Sequence, residues 1–297
     1  MKKPNFRLMQ LAGAASVSVA TALVALKVWA WLATGSVALL SSLADSVLDL
    51  FASIITFYAL RVAAAPADRE HRFGHGKSEA IAGLAQTLII TASALYVGVQ
   101  AVLRLIEPAQ ITAPGVGIGV MVASLGLTIL LVAFQHFVIR ETQSLAISAD
   151  AVHYQADILT NIAVLAAIGT NYWLGWYVAD PILGLVVVGL ILGSVRKIAI
   201  AAIDVLLDRE LPAEVRRSIR EAAQEHPAVR GVHDIRTRSA GVAEFIQFHL
   251  ELDPEITLSD AHRISDEVED AIKRRFPRAE IIIHADPHGI NEPRDVF

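Results

Sequence analysis

Six stretches of this chain stay apolar long enough to cross a bilayer as helices, at about 9–32, 36–60, 80–103, 115–138, 145–172 and 181–203. A spanning segment must satisfy its backbone hydrogen bonds internally, so each such run is committed to being a helix. Residues 1–207 therefore read as a membrane α-helical domain, and 54% of the 297 residues are hydrophobic. From about Asp208 the composition becomes that of an ordinary soluble domain, and 208–297 reads as a separate unit.

Basic residues sort the connections between spans. Lys2, Lys3 and Arg7 precede the first span, Arg61, Arg69, Arg72 and Lys77 follow the second, and Arg140 follows the fourth. The alternate connections offer only Arg104, which places both termini in the cytoplasm. Trp29, Trp31, Trp173 and Trp176 all fall at span ends that this topology puts outside, as an aromatic belt does. No short apolar leader with a cleavage site precedes the first span, so Met1 to Arg7 reads as a retained end. Pro108 to Pro114 punctuates the outer link between the third and fourth spans.

The tail alternates helical and strand periodicity. Pro212–Glu225 has helical spacing, Val229–Arg238 and Glu244–Leu252 alternate like strands, Ser259–Phe276 is helical again, and Glu280–His284 is a third strand. Ser259 is the expected cap of the second helix, with Ile264, Val268 and Ile272 as its buried face. This αββαβ order predicts a compact α+β, ferredoxin-like domain. Residues 209–297 hold 13 Lys and Arg against 18 Asp and Glu, while the rest of the chain balances. An acidic tail argues against a nucleic-acid partner and for cations. The chain has no cysteine, so any metal must be held by His, Asp and Glu.

Within the second span, Asp45 and Asp49 stand four residues apart and so share one helix face. Ionised carboxylates at that depth cost at least a few kcal/mol, which requires a cavity or a partner rather than lipid. His153 and Asp157 repeat the spacing in the fifth span. Three carboxylates and one imidazole suffice for a four-coordinate Zn²⁺ site. The plainer alternative is hydrogen-bonding glue between helices. Asp150 lines the entrance of such a site or ends a turn, and Lys27 snorkels or is paired, with no role assigned.

Two further groups carry ligand chemistry. Asp68, His71 and His75, at spacings of three and four, suit one ion held by a cytoplasmic loop. Gly76-Lys77-Ser78 follows, but His71 stands where a phosphate loop requires glycine, so no nucleotide is expected. In the tail, His233, His249, His262, His284 and Asp286 gather half of the ten histidines, with His249 on the strand face of Gln247 and Glu251. His136, His226 and His288 default to structural or solvated roles.

Together these features resemble the cation diffusion facilitator family. The likeness covers essentially the whole chain: six spans, the aspartate pair, His153-Tyr154-Gln155 with Asp157, the Phe73-Gly74-His75-Gly76-Lys77 loop and the tail. The resemblance implies a homodimeric bacterial inner-membrane antiporter exchanging divalent cations for protons by alternating access. It implies that Asp45, Asp49, His153 and Asp157 are the transport site, and that Asp68, His71 and His75 are a loop site. It further implies that His233, His249, His262, His284 and Asp286 bind Zn²⁺ at a cytoplasmic dimer contact, and that Lys77 and Asp208 form a charge interlock. Ala285 departs from relatives that can offer a polar side chain there.

The ligand types give the exchange a physical basis. Metal capture needs neutral imidazole and ionised carboxylates, so protons compete for the same lone pairs. Imidazole, with an unperturbed pKa of ~6.5, titrates in the working range. Zn²⁺ is the first expectation, with Cd²⁺, Fe²⁺, Co²⁺ and Mn²⁺ compatible. A metal-gated channel or metal sensor is the alternative. An intramembrane hydrolase is disfavoured because the chain lacks His-Glu-x-x-His and Gly-x-Gly-Asp, and the chain is expected not to be an enzyme.

Overall fold

A computed structural model describes residues 5–35, 37–106, 115–174, 176, 178–241 and 243–290. The expectations placed on Lys2, Lys3 and the 108–114 link lie outside these residues. The chain divides into two compact units, Asn5–Ile203 and the region from Asp204 onward.

The first unit consists of six helices: α1 (Phe6–Thr34), α2 (Val37–Ala63), α3 (Ser78–Ile106), α4 (Gly115–Thr142), α5 (Leu145–Leu174) and α6 (Ala179–Leu206). All six are long and apolar enough to cross a membrane. Each exceeds its apolar window by a few residues, because backbone pairing continues into the polar flanks. The side chain of Asn5 caps α1 by accepting from the Leu8 amide.

Close approach is what lets these helices pack where no water drives them together. A Cβ on Gly13 of α1 would lie 3.0 Å from Leu60 Cδ1 and 3.3 Å from the Phe57 backbone, so α1 and α2 touch nearly backbone to backbone. Helix α5 is the centre of the unit, packing on α1, α2, α3 and α4. Its first half buries Ala146, Ile147, Ala149, Asp150, Ala151, His153 and Tyr154. The link from α4 to α5 is only Gln143 and Ser144, with Gln143 in the left-handed region at φ 58° and its amide returned to Ile139.

The second unit places α7 (Ala213–Gln224) and α8 (Leu258–Arg275) on one face of a sheet ordered β1 (Gly231–Ala240), β2 (Ala243–Leu252), β3 (Ala279–Pro287). Strands β1 and β2 pair antiparallel, and β2 and β3 pair parallel. Ile219, Ile246, Phe248, Leu250, Ile264, Val268 and Ile272 form the core between sheet and helices. The expected buried face of α8 is present, but its cap is Thr257 rather than Ser259. Thr257 Oγ1 accepts from the Asp260 amide, and Ser259 falls inside the first turn. Strand β3 runs three residues past His284 because β2 offers partners as far as Leu252.

Alternation along β2 sends Ile246, Phe248 and Leu250 inward, so Gln247, His249 and Glu251 occupy the helix-free face. In register, His233, His249 and His284 form one row across all three strands. A bulge breaks β1 between His233 and Arg236, with Asp234 in the left-handed region at φ 47°.

Candidate metal sites

In the helical unit, Asp49 of α2 meets His153 and Asp157 of α5, each with one ligand atom within 4.8 Å of the others. The helical repeat explains the meeting. His153 and Asp157 are one turn apart on the α5 face that packs on α2, and His153 Nε2 lies 2.9 Å from Asp49 Oδ1. Asp45 belongs to the same α2 face but is not one of these three. It stands one turn earlier and is exposed.

A buried hydrogen-bond network lies one turn from this triad. Asp150, one turn before His153, accepts from Ser16 Oγ at 2.6 Å, from Gln135 Nε2 at 2.7 Å and from Gln86 Nε2 at 3.5 Å. These donors come from α1, α4 and α3, and every member is at most 1% exposed. Tyr154 adds a bond of 2.8 Å to Ser53 of α2. Asp150 is thus neither an entrance residue nor a turn end. Its neighbours satisfy its charge without metal, and it ties four helices together. The knot was invisible in sequence because its donors, 15, 64 and 134 residues away, stand on three other helices.

A second anchor acts on α5 from its start. Glu79, in the first turn of α3 and 1% exposed, accepts from Ser144 Oγ just before α5 begins. A carboxylate there complements the unpaired amides and the dipole of the α5 amino end.

The loop residues Asp68, His71 and His75 also converge, with ligand atoms within 4.8 Å. Asp68 Oδ1 accepts from the amides of His71 and Glu70 at 2.6 and 2.9 Å, which folds the loop back on itself. The His71 amide first, and the Glu70 amide with it, holds the Asp68 carboxyl below its ordinary range. The two imidazoles stand 4.7 Å apart, and Nδ1 of His75 is buried without a hydrogen-bond partner. Gly74, at φ 76°, permits the turn between them.

On the helix-free face of the tail sheet, His233, His249 and Asp286 bring ligand atoms within 4.8 Å. Asp286 is 7% exposed and lies 2.7 Å from His249 Nδ1, 3.4 Å from His233 Nε2 and 3.2 Å from His284 Nε2. A buried carboxylate ringed by three imidazoles is a donor set that fits Zn²⁺. His262 is not brought there. It sits on α8, exposed, 3.6 Å from Asp266.

Sequence reasoning missed two neighbours of this cluster. Glu251 lies 2.8 Å from His233 and 2.9 Å from His288, so His288 has a companion after all, and the His288 ring holds the Glu251 carboxyl below its usual range. The β1 bulge turns Asp234 toward His249, at 3.8 Å, beside a cavity of about 190 Å³ lined also by Gln247 and His284. A strict two-residue alternation would have put Asp234 on the opposite face from His233. Ala285 stays exposed between His284 and Asp286.

Lys77 precedes α3 and Asp208 follows α6, in separate units, and Asp208 Oδ1 accepts from Arg238 at 3.3 Å. His136 lies 3.0 Å from Gln155, and His226 lies 2.9 Å from Glu267.

Comparison with known proteins agrees with this architecture. Residues 14–207 match the family model for the cation efflux transmembrane domain, and residues 211–288 match that for the cation efflux protein cytoplasmic domain. The cation-efflux pump FieF of Salmonella arizonae is 44% identical over 296 residues, covering 100% of this chain and 98% of the relative. FieF of Salmonella agona is 45% identical over 290 residues, covering 98% and 96%. Among solved structures, the zinc form of CzrB is 36% identical over 29% of this chain and 99% of its own, with a TM-score of 0.27. The chain belongs to the cation efflux family: six membrane helices followed by a small cytoplasmic α+β domain.

Proposed function

We propose that this protein carries divalent metal cations, Zn²⁺ foremost with Cd²⁺ and Fe²⁺ admitted, out of the cytoplasm in exchange for protons by alternating access. The observation that carries this reading is the triad of Asp49, His153 and Asp157, drawn from two helices of an apolar six-helix unit. Asp45, exposed one turn away on the same α2 face, is the fourth ligand or the first to meet the ion. Relatives named as cation-efflux pumps support the outward direction.

Exchange follows from competition. A dication held by two or three carboxylates and an imidazole leaves when protons take those lone pairs, and an inward proton gradient supplies them on the outer side. The buried Asp150 knot, one turn from His153, holds the helix that carries two of the ligands against three others.

The same reading assigns Asp68, His71 and His75 to a cytoplasmic loop site, and His233, His249, His284 and Asp286 to a tail Zn²⁺ site. His262 reaches such a site only from a second copy of the chain. Residues 1–207 are then the transport domain and 208–297 the cytoplasmic metal-binding dimerisation domain of a homodimer. Lys77 and Asp208 interlock the two protomers, the inner membrane is the location, and both termini are cytoplasmic.

The test is Zn²⁺ transport by purified protein in liposomes under an imposed pH step. Wild type accumulates Zn²⁺ against its gradient, and Asp157→Ala does not. Accumulation that is unchanged in Asp157→Ala, or that never exceeds equilibrium in wild type, overturns the coupled carrier.

A further inference from the structure

The stripe of α2 that carries Asp45 and Asp49 also carries Ser42 and Ser46, at the i, i+3, i+4, i+7 positions of one helix face. A basic side chain from another helix lies along that stripe. Lys27 of α1 donates from Nζ to the Ser42 carbonyl at 3.1 Å and to Ser46 Oγ at 2.6 Å. That stripe carries Asp45 and Asp49, and Asp49 in turn meets Asp157, so Nζ is held on the acidic side of the proposed transport site.

Helices α2, α4 and α5 pack on α1. Helix α2 presents Asp45 and Asp49, and α5 presents Asp157 with His153 beside it. Helix α4 carries its titratable side chains, His136, Arg140 and Glu141, only in its last two turns. Lys27 is thus an ammonium set along the acidic stripe by two hydrogen bonds.

We propose that Lys27 is a resident counter-cation that sets the charge selectivity of the transport site. Three carboxylates set against one fixed ammonium leave a deficit of two, which one dication fills while the imidazole stays neutral. A monovalent ion leaves the partly buried site negative, and a trivalent ion makes it positive. Either excess charge is costly in a low-dielectric interior. The two serines fix the ammonium on the acidic stripe but leave the carboxylate oxygens free to ligate. This inference rests on the transport-site reading above and names what tunes that site.

The experiment compares Zn²⁺ transport kinetics of full-length wild type, Lys27→Gln and Lys27→Arg in liposomes. Gln keeps a donor for Ser42 and Ser46 and removes the charge, whereas Arg keeps both. Loss of a repelling charge lowers the KM for Zn²⁺ by about tenfold or more, on the scale of one charge acting on a dication across partly hydrated protein. It also lowers kcat, because the loaded site must now reorient with net charge. Lys27→Arg stays near wild type, and La³⁺ becomes a stronger inhibitor of Lys27→Gln than of wild type. A purely structural staple gives a different pattern, with KM unchanged or raised, and that result overturns the proposal.

Should Lys27→Gln not fold, Ser46→Ala supplies the second test, since it removes the 2.6 Å acceptor but keeps the charge. Its KM stays within about twofold of wild type, the effect of one neutral hydrogen bond being small. A change of tenfold there assigns Lys27 to stapling and sinks the idea. Asp157→Ala is run alongside. If it transports normally the site reading itself fails, and if it is dead while Lys27→Gln has an unchanged KM, only the counter-cation fails.

Discussion

Tyr154 of α5 and Ser53 of α2 share a 2.8 Å hydrogen bond one residue past His153 and one turn past Asp49. Both side chains are fully buried. The bond therefore fixes the rotation and height of α5 against α2 at the level where the metal-ligating side chains meet. In a carrier whose ligands come from two helices, that register decides whether one ion can touch both.

Tyr154→Phe keeps the ring packed and removes only the hydroxyl. About 1 kcal/mol of stability is lost, the net worth of one hydrogen bond. The expected transport phenotype is a several-fold rise in the Zn²⁺ KM with the protein still folded. Ser53→Ala should reproduce it, and the double variant should add little, because both remove one bond. Additive effects would show that the two residues act separately.

The Asp150 knot predicts a contrast between two aspartates of α2 and α5. Asp150→Asn turns an amide toward Ser16 and Gln135, which already donate, and costs about 1–3 kcal/mol for the resulting unpaired buried groups. Asp45→Asn, at an exposed position, leaves stability almost unchanged and impairs Zn²⁺ transport. Denaturant midpoints in detergent, read beside transport rates, separate the two. A marked stability loss in Asp45→Asn would contradict the placement of that side chain.

The tail cluster predicts metal-linked stability. Zn²⁺ at one hundred times its Kd raises the stability of the tail unit by about 2.7 kcal/mol, and a chelator reverses this. Asp286→Ala abolishes the gain, since its carboxylate lies within 3.4 Å of all three imidazoles. His262→Ala reduces it less, because within one chain His262 faces Asp266 instead. Calorimetry of the full-length protein with and without Zn²⁺ measures each gain.

Much of this architecture was legible in sequence, for reasons specific to each element. Apolar length alone predicts the six helices, and the i, i+4 pairs predict that Asp49 and His153 can face one ion. Alternation along β2 puts His249 on the polar face, and β-pairing then aligns it with His284. What was not legible depends on partners distant in sequence or on broken periodicity. The role of Asp150 is set by donors on three other helices, and that of Lys27 by a stripe on α2. Asp234 escaped because a bulge reverses its face, and Thr257 replaced Ser259 as cap because the helix starts at Leu258, two residues before a Ser259 cap would start it.

The outer surface of the tail gives a pH prediction. The His226 ring foremost, and Arg263 after it, holds the Glu267 carboxyl below its ordinary value. A carboxyl whose folded pKa lies below its unfolded one, about 4.3, stabilises the fold above that unfolded value. The contribution fades as pH falls through the folded value. Glu267→Gln should therefore lower Tm at pH 6, and the difference from wild type should shrink as pH falls below about 4.3. The effect is small, since the pair is solvent-screened, and it shrinks further in high salt. His226→Ala should narrow the same gap, because its ring is the largest contributor to the low Glu267 value. A Tm difference that persists undiminished to pH 3 would show that Glu267 acts through packing rather than through its charge.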